Sequence, residues 1–166
     1  MTHDSRISAF KTSSDVIRAA GAADLPELRR MMAEYQQWLA LDLSFQHFAR
    51  EVEALPGEYA PPTGALLIAQ TSEDASGMVA LRRLDAGRAE MKRLFVRPAA
   101  RGSGLGRALA QRVIDEARAL GYRELVLDTL PVMENAHALY ATLGFRPISP
   151  YYPSPIAGTT YLSLTL

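Results

Sequence analysis

The spacing of apolar residues changes along the chain, and each change marks an element. Leu25, Leu28, Met32, Tyr35 and Leu39 recur at intervals of three and four, which predicts a helix with one face toward a core. Ahead of them Asp24-Leu25-Pro26-Glu27 reads as a helix start, with Asp at the cap, Pro in the first turn and Glu three residues on. Phe45, Phe48 and Val52 predict a second helix over residues 44–54, ended by the Pro- and Gly-containing stretch 58–64. Before both, residues 15–20 read as a short strand around Val16 and Ile17. Residues 1–13 read as a flexible lead into a single domain over 14–166.

Past residue 64 the period shortens. Residues 65–70 form an apolar run expected as a buried strand, and 71–77 read as a turn. Residues 78–84 and 88–96 read as strands joined by a hairpin at Asp85-Ala86-Gly87, with Pro98 stopping the second. Leu105, Leu109, Val113 and Ala117 then predict a helix to Leu120, closed by Gly121. Residues 124–130 read as a strand and 133–143 as a short helix ended by Gly144. Phe145 to Ile148 and Thr159 to Leu166 read as two closing strands around the Pro- and Tyr-rich loop 150–155. Helices lie between strands, yet several strands join by hairpins. The expected fold class is therefore α/β with a mixed sheet rather than a purely parallel one.

Composition narrows the function. The 166 residues carry 18 basic and 18 acidic side chains, and that balance argues against nucleic acid or an anionic membrane as the partner. The absence of cysteine excludes a thiol nucleophile and thiolate-ligated zinc, and His3, His47 and His137 are too scattered to suggest a metal site. A polar start and short apolar runs give no sign of a signal peptide or membrane span, so a cytoplasmic protein is expected. The charges are uneven. Residues 1–75 hold 6 basic and 11 acidic side chains, residues 76–146 hold 12 and 7. Read functionally, the second half would face an anion and the first half a cation.

An anion site is written into residues 97–107, a strand end followed by Arg97-Pro98-Ala99-Ala100-Arg101-Gly102-Ser103-Gly104-Leu105-Gly106-Arg107 and a helix. Glycines let a backbone approach a ligand, a helix start offers unsatisfied N–H groups, and arginine forks suit phosphate. The loop is not a Walker A loop, because Gly106 is followed by Arg107-Ala108. It misses the dinucleotide fingerprint too, although Asp128 stands where a ribose-binding acid would.

Arg101-Gly102-Ser103-Gly104-Leu105-Gly106 resembles the R-x-x-G-x-G loop that binds the acyl-CoA pyrophosphate in the GNAT superfamily of N-acetyltransferases. The preceding strand, the following helix and residues 138–147 resemble the matching segments, in the same order, from about Met78 to Pro147. The resemblance implies a mixed, mostly antiparallel sheet splayed at its middle, flanked by about four helices, with acetyl-CoA as co-substrate and no metal. It assigns Arg101, Gly102, Ser103, Gly104, Leu105, Gly106 and Arg107 to the pyrophosphate, with Arg97 adding charge. Leu94, Phe95 and Val96 fall on the strand whose backbone pairs with the acetyl group and pantetheine arm, Leu94 N–H being the oxyanion donor. Tyr140 falls where a tyrosine protonates the departing thiolate. Glu90, four residues before Leu94 and on its face if the strand is regular, matches a base used by some members. It is equally a cross-strand partner for Arg82 or Arg83. The family often has Asn seven residues before the tyrosine, whereas here Met133 stands there and Asn135 two later.

The resemblance implies direct acetyl transfer to a primary amine of a small molecule or peptide through a ternary complex, and a homodimer is compatible with it. The acceptor cleft would be bordered by residues 25–54, acidic and carrying Tyr35 and Trp38, and by Tyr151 and Tyr152, which suits a cationic amine. A nucleotide-binding domain and a non-catalytic acyl-CoA sensor are the alternatives.

Overall fold

The computed structural model describes residues 15–71 and 74–166, so the lead expected over 1–13 lies outside the described residues. The elements, in order, are β1 (Val16–Ala19), α1 (Leu25–Leu39), α2 (Phe48–Ala54), β2 (Ala65–Gln70), β3 (Ala75–Arg83) and β4 (Arg88–Val96). After them come α3 (Leu105–Ala119), β5 (Glu124–Thr129), α4 (Glu134–Thr142), β6 (Arg146–Ile148) and β7 (Thr160–Thr165). The seven strands form one sheet in the order β1-β2-β3-β4-β5-β7-β6, and only β4 and β5 run parallel. This is the mixed, mostly antiparallel architecture that the sequence implied.

Alternation along the strands serves two cores, one on each face. Leu66 and Ile68 of β2 meet Leu28, Met31, Met32, Tyr35 and Leu39 on one side of the sheet. Leu67 and Ala69 meet Leu105, Leu109, Val113 and Ile114 of α3 on the other. The two apolar helix stripes read from the sequence are thus the two lids of the sheet.

Three local expectations are corrected. Asp24 does not cap α1 with its side chain. It closes a 3-10 turn at Ala22–Asp24, its carboxylate accepting Gly21 N–H at 2.7 Å and the Arg18 guanidinium at 2.7 and 2.8 Å. The helix expected over 44–54 is interrupted at His47, whose φ of 55° separates a 3-10 turn at Ser44–Gln46 from α2. The turn expected over 71–77 is shorter, because β3 already starts at Ala75.

Two irregularities shape the centre of the sheet. Parallel pairing of β4 with β5 covers only Arg88↔Glu124, Ala89↔Leu125 and Glu90↔Val126, after which the strands part. In β4 the register against β3 slips between Met78↔Phe95 and Ala80↔Lys92, so that Arg93 and Leu94 face the single residue Val79, and Arg93 at φ 60° is the bulge. The bulge reverses facing along β4. Ala89 and Met91 pack toward α3, and Phe95 packs toward α1.

Candidate active site

The opening between β4 and β5 is the site. Arg97 N–H donates to Ser76 O at 2.9 Å, so Arg97 and, two residues back, Phe95 address β3. Antiparallel pairing alternates, which turns the backbone groups of Leu94 and Val96 to the opposite edge, where β5 has moved away. The Val96 carbonyl shows this directly, since it accepts Arg101 Nε at 3.0 Å rather than a strand partner. A cleft here is lined by Met91, Lys92, Arg93 and Leu94 of β4, by Asp128 and Leu130, by Met133 and Tyr140, and by Tyr35, Leu43 and Gln46 from the α1 side.

At one end of the opening stands the glycine loop. Gly102 and Gly104 have φ of 80° and 83°, and a Cβ built on either meets nothing within 4 Å, so this backbone face is open. The first helix bond of α3 is Ala108 N–H to Gly104 O, which leaves the N–H groups of Leu105, Gly106 and Arg107 without an intrahelical acceptor. Gly104 is the N-cap and offers no side chain to take them. Buried Leu105 anchors the loop to the α3 core, and Ser103 Oγ donates to Ala100 O at 2.6 Å. These donors fit an anionic pyrophosphate.

The three arginines of the segment have different surroundings. Arg107 Nη2 reaches Thr142 Oγ1 on α4. Arg101 lies over the Trp38 ring at 5.0 Å, close to the loop. Arg97 points to the other side, pairing with Glu27 at 2.6 Å and Glu34 at 2.9 Å on α1 and donating to Ala75 O. Its backbone belongs to the β4 end, but its charge is committed to α1.

Tyr140 is buried at the opening, edge-on to Phe145. Burial pushes its phenol well above the ordinary range, with Tyr35 and Asp128 adding to the effect, so it keeps its proton through the physiological range. Asn135 sits exposed in the first turn of α4. Met133 lines the cleft instead, its thioether accepting Leu130 N–H at 3.5 Å.

Glu90 is buried, and the bulge puts it on the face opposite to Leu94, contrary to the regular-strand expectation. Oε1 accepts Arg82 Nε at 2.7 Å across the strand pair, and Oε2 accepts the Tyr151 hydroxyl at 2.5 Å. Burial would raise its carboxyl, but Lys92 and Arg82 outweigh that and hold it below the usual range. Tyr152 donates similarly to Asp128. The 150–155 loop is therefore tied to β4 and β5 by two phenols.

Gln46, from the 25–54 segment expected to border the acceptor cleft, lines it together with Lys92 and Asp128, which the sequence did not mark as acceptor-site residues. Lys92 is one of only two lysines against sixteen arginines, the one signal that was there to read. Among the described residues, no group of His, Asp and Glu able to hold a metal occurs, and no helix is long and apolar enough to cross a membrane.

Comparison with known proteins agrees with this geometry. Residues 26–145 match the model of the acetyltransferase (GNAT) family. The chain is 38% identical over 145 residues to an uncharacterized N-acetyltransferase of Schizosaccharomyces pombe, covering 86% of this chain and 89% of that one. It is 39% identical over 102 residues to an IAA acetyltransferase of Azospirillum brasilense, covering 59% and 67%. An acetyltransferase structure from Streptococcus agalactiae superposes with a TM-score of 0.76 at 26% identity, covering 92% of this chain and 98% of that one. The structure of yncA from Salmonella typhimurium, solved with its cofactor acetyl-CoA, shares the fold with a TM-score of 0.65 at 21% identity over 91% and 93% of the two chains. A sheet parted between β4 and β5, a glycine loop at the head of α3 and these matches converge: the chain belongs to the GNAT family of N-acetyltransferases and is an acetyl-CoA-dependent acyltransferase.

Proposed function

We propose that the chain moves the acetyl group of acetyl-CoA directly onto a primary amine of a small molecule or peptide, within one ternary complex. The observation that carries this reading is the edge of β4 past the bulge. There the backbone of Leu94 and Val96 is turned into the opening, and the same cleft is shared by Leu94, Tyr140 and the acceptor-side residues Tyr35 and Gln46. The absence of cysteine removes the usual thiol carrier of an acetyl-enzyme.

In this reading the N–H groups of Gly102 to Arg107 hold the pyrophosphate, with Arg101 and Arg107 at its edge. The Val96 backbone pairs with the pantetheine arm in the manner of an added strand. Leu94 N–H donates to the thioester oxygen as it gains negative charge. The neutral amine attacks the carbonyl carbon, the C–S bond breaks, Tyr140 gives its proton to the leaving sulfur, and the proton that the nitrogen sheds passes to water, from which Tyr140 is reprotonated. Glu90 serves as the fixed counter-charge of Arg82 and not as the base.

A CoA-release screen across polyamines, amino acids, aminoglycosides and peptide N-termini tests the activity. Initial rates should give intersecting double-reciprocal lines, and parallel lines would overturn the ternary complex. Tyr140→Phe should lower kcat by about 10²-fold or more while acetyl-CoA binding stays near wild type. Equal kcat in the two proteins, with chemistry rate-limiting, would return Tyr140 to a packing role.

A further inference from the structure

The acceptor side of the cleft holds polar groups that the fold does not use. Lys92 points into it from β4, and among the described residues its ammonium makes no hydrogen bond and no ion pair within 4.0 Å. An ammonium has three donors, and the described residues use none of those of Lys92. Its two anionic neighbours are engaged elsewhere, Glu90 by Arg82 and Tyr151, and Asp128 by Tyr152. Gln46 supplies the converse, because its buried Oε1 accepts no hydrogen bond. Asp128 faces the same space and keeps acceptor capacity beyond its one phenol partner. One small cleft therefore offers unused donors from a cation on β4, and unused acceptors from Gln46 and Asp128.

A ligand that satisfies both carries an amine and an anion a few ångströms apart. We propose that the acceptor is an amino acid or a close analogue, its carboxylate taken by Lys92 and its amine by Asp128 and the Gln46 carbonyl, beside Leu94 N–H. The other cations of this region are already matched: Arg93 is paired with Glu51 at 2.8 Å, and Arg82 bridges Glu58 and Glu90. A lysine suits the task better than the arginines that dominate this chain, since its compact charge meets one carboxylate in a narrow space. Desolvation lowers the Lys92 pKa against the pull of Glu90, and a carboxylate bound beside the ammonium would raise it again.

The inference rests on the transferase reading and deepens it. The test compares the common L-amino acids, their α-carboxamides, and the amines that remain when the carboxylate is removed. Wild type, Lys92→Met and Lys92→Arg are each assayed with acetyl-CoA. For wild type, the best amino acid should exceed its amide and its decarboxylated amine at least tenfold in kcat/KM. Lys92→Met should raise KM for the amino acid roughly ten- to hundredfold, the loss of one charge-assisted contact, and remove its advantage over the amide. Lys92→Arg should recover part of that loss, because the charge returns. Equal use of amino acid and amide by wild type overturns the proposal. So does a Lys92→Met defect confined to kcat and not rescued by arginine, which would mark Lys92 as a base. Calorimetry of the same amino acids on CoA-loaded protein separates the two readings. Lys92-dependent binding without any CoA release upholds the site and overturns the transferase reading, and absence of binding overturns the site.

Discussion

Glu90 shows how one bulge decides what a residue does. In a regular strand Glu90 and Leu94 would share a face, and the carboxylate would lie beside the acetyl group. The extra residue at Arg93 sends Leu94 toward the α3 face and leaves Glu90 against Arg82 and Tyr151. Its two oxygens are taken and its carboxyl is held below the usual range, which is why the proposed mechanism gives the proton of the amine to water and not to Glu90. Glu90→Gln should therefore cost roughly 1.5–3 kcal/mol of stability, the range for hydrogen bonds to a charged group, read from the denaturant midpoint at pH 7. Its pH–rate profile should run parallel to wild type. Loss of the acidic limb from that profile would instead place Glu90 on the amine as its base. The cross-strand pairing with Arg82 was legible from the hairpin at 85–87. The facing was not, because Arg93 takes φ of 60° without being glycine or asparagine, and nothing in its side chain announces a left-handed backbone. Buried Arg93 is held by Glu51 and by the rings of Phe48 and Tyr35, so tertiary contacts fix the conformation.

At the scale of elements, α3 can be read almost completely from sequence, since its apolar stripe, Gly-rich start and Gly121 stop are all local signals. The ends of α3 also provide a matched experiment. Gly104 before it and Gly121 after it have φ of 83° and 87°, and neither has an atom within 4 Å of an added Cβ. Valine at either position meets the same backbone strain, on the order of 1–3 kcal/mol. Only at Gly104 does the new side chain stand over the N–H groups of the first turn. Gly104→Val should lose acetyl-CoA binding while keeping its circular dichroism, and Gly121→Val should lose comparable stability yet bind normally. The chain has a single tryptophan, Trp38, which packs against Arg101, so its fluorescence offers a direct readout of the titration. Equal binding losses in the two variants would mean that strain alone, and not access to the loop, explains the effect. The elements that sequence misjudged, the break at His47 and the early start of β3, depend on contacts distant in the chain. The cleft residues Lys92, Gln46 and Asp128 come from three separate elements, and only the parting of β4 from β5 brings them together.

Across the whole molecule the uneven charge has a structural use. The acidic first half and basic second half are joined by ion pairs that tie the α1–α2 layer to the sheet: Glu27 and Glu34 to Arg97, Glu51 to Arg93, Glu58 to Arg82. Acids that sequence would place before a cationic acceptor are thus neutralised by the protein's own arginines. Arg97 is the clearest case, because it binds two carboxylates of α1 from the end of β4. Arg97→Met should weaken the seating of α1 and lower stability at neutral pH, while acetyl-CoA binding stays close to wild type. The pH dependence has a definite sign. Hydrogen bonding to Arg97 is the main reason that Glu27 sits below its ordinary value of 4.5, with Arg30 assisting and burial opposing. A carboxyl whose folded pKa is depressed contributes stability that is full above the unfolded value and lost as pH falls through the folded one. The gap between wild type and Arg97→Met, measured by urea unfolding from pH 7 down to pH 3, should stay level until the pH approaches 4.5 and then close. A gap that persists unchanged in acid would show that Arg97 holds α1 through its packing and its bond to the Ala75 carbonyl, and that the opposed charges of the two halves contribute nothing to joining them.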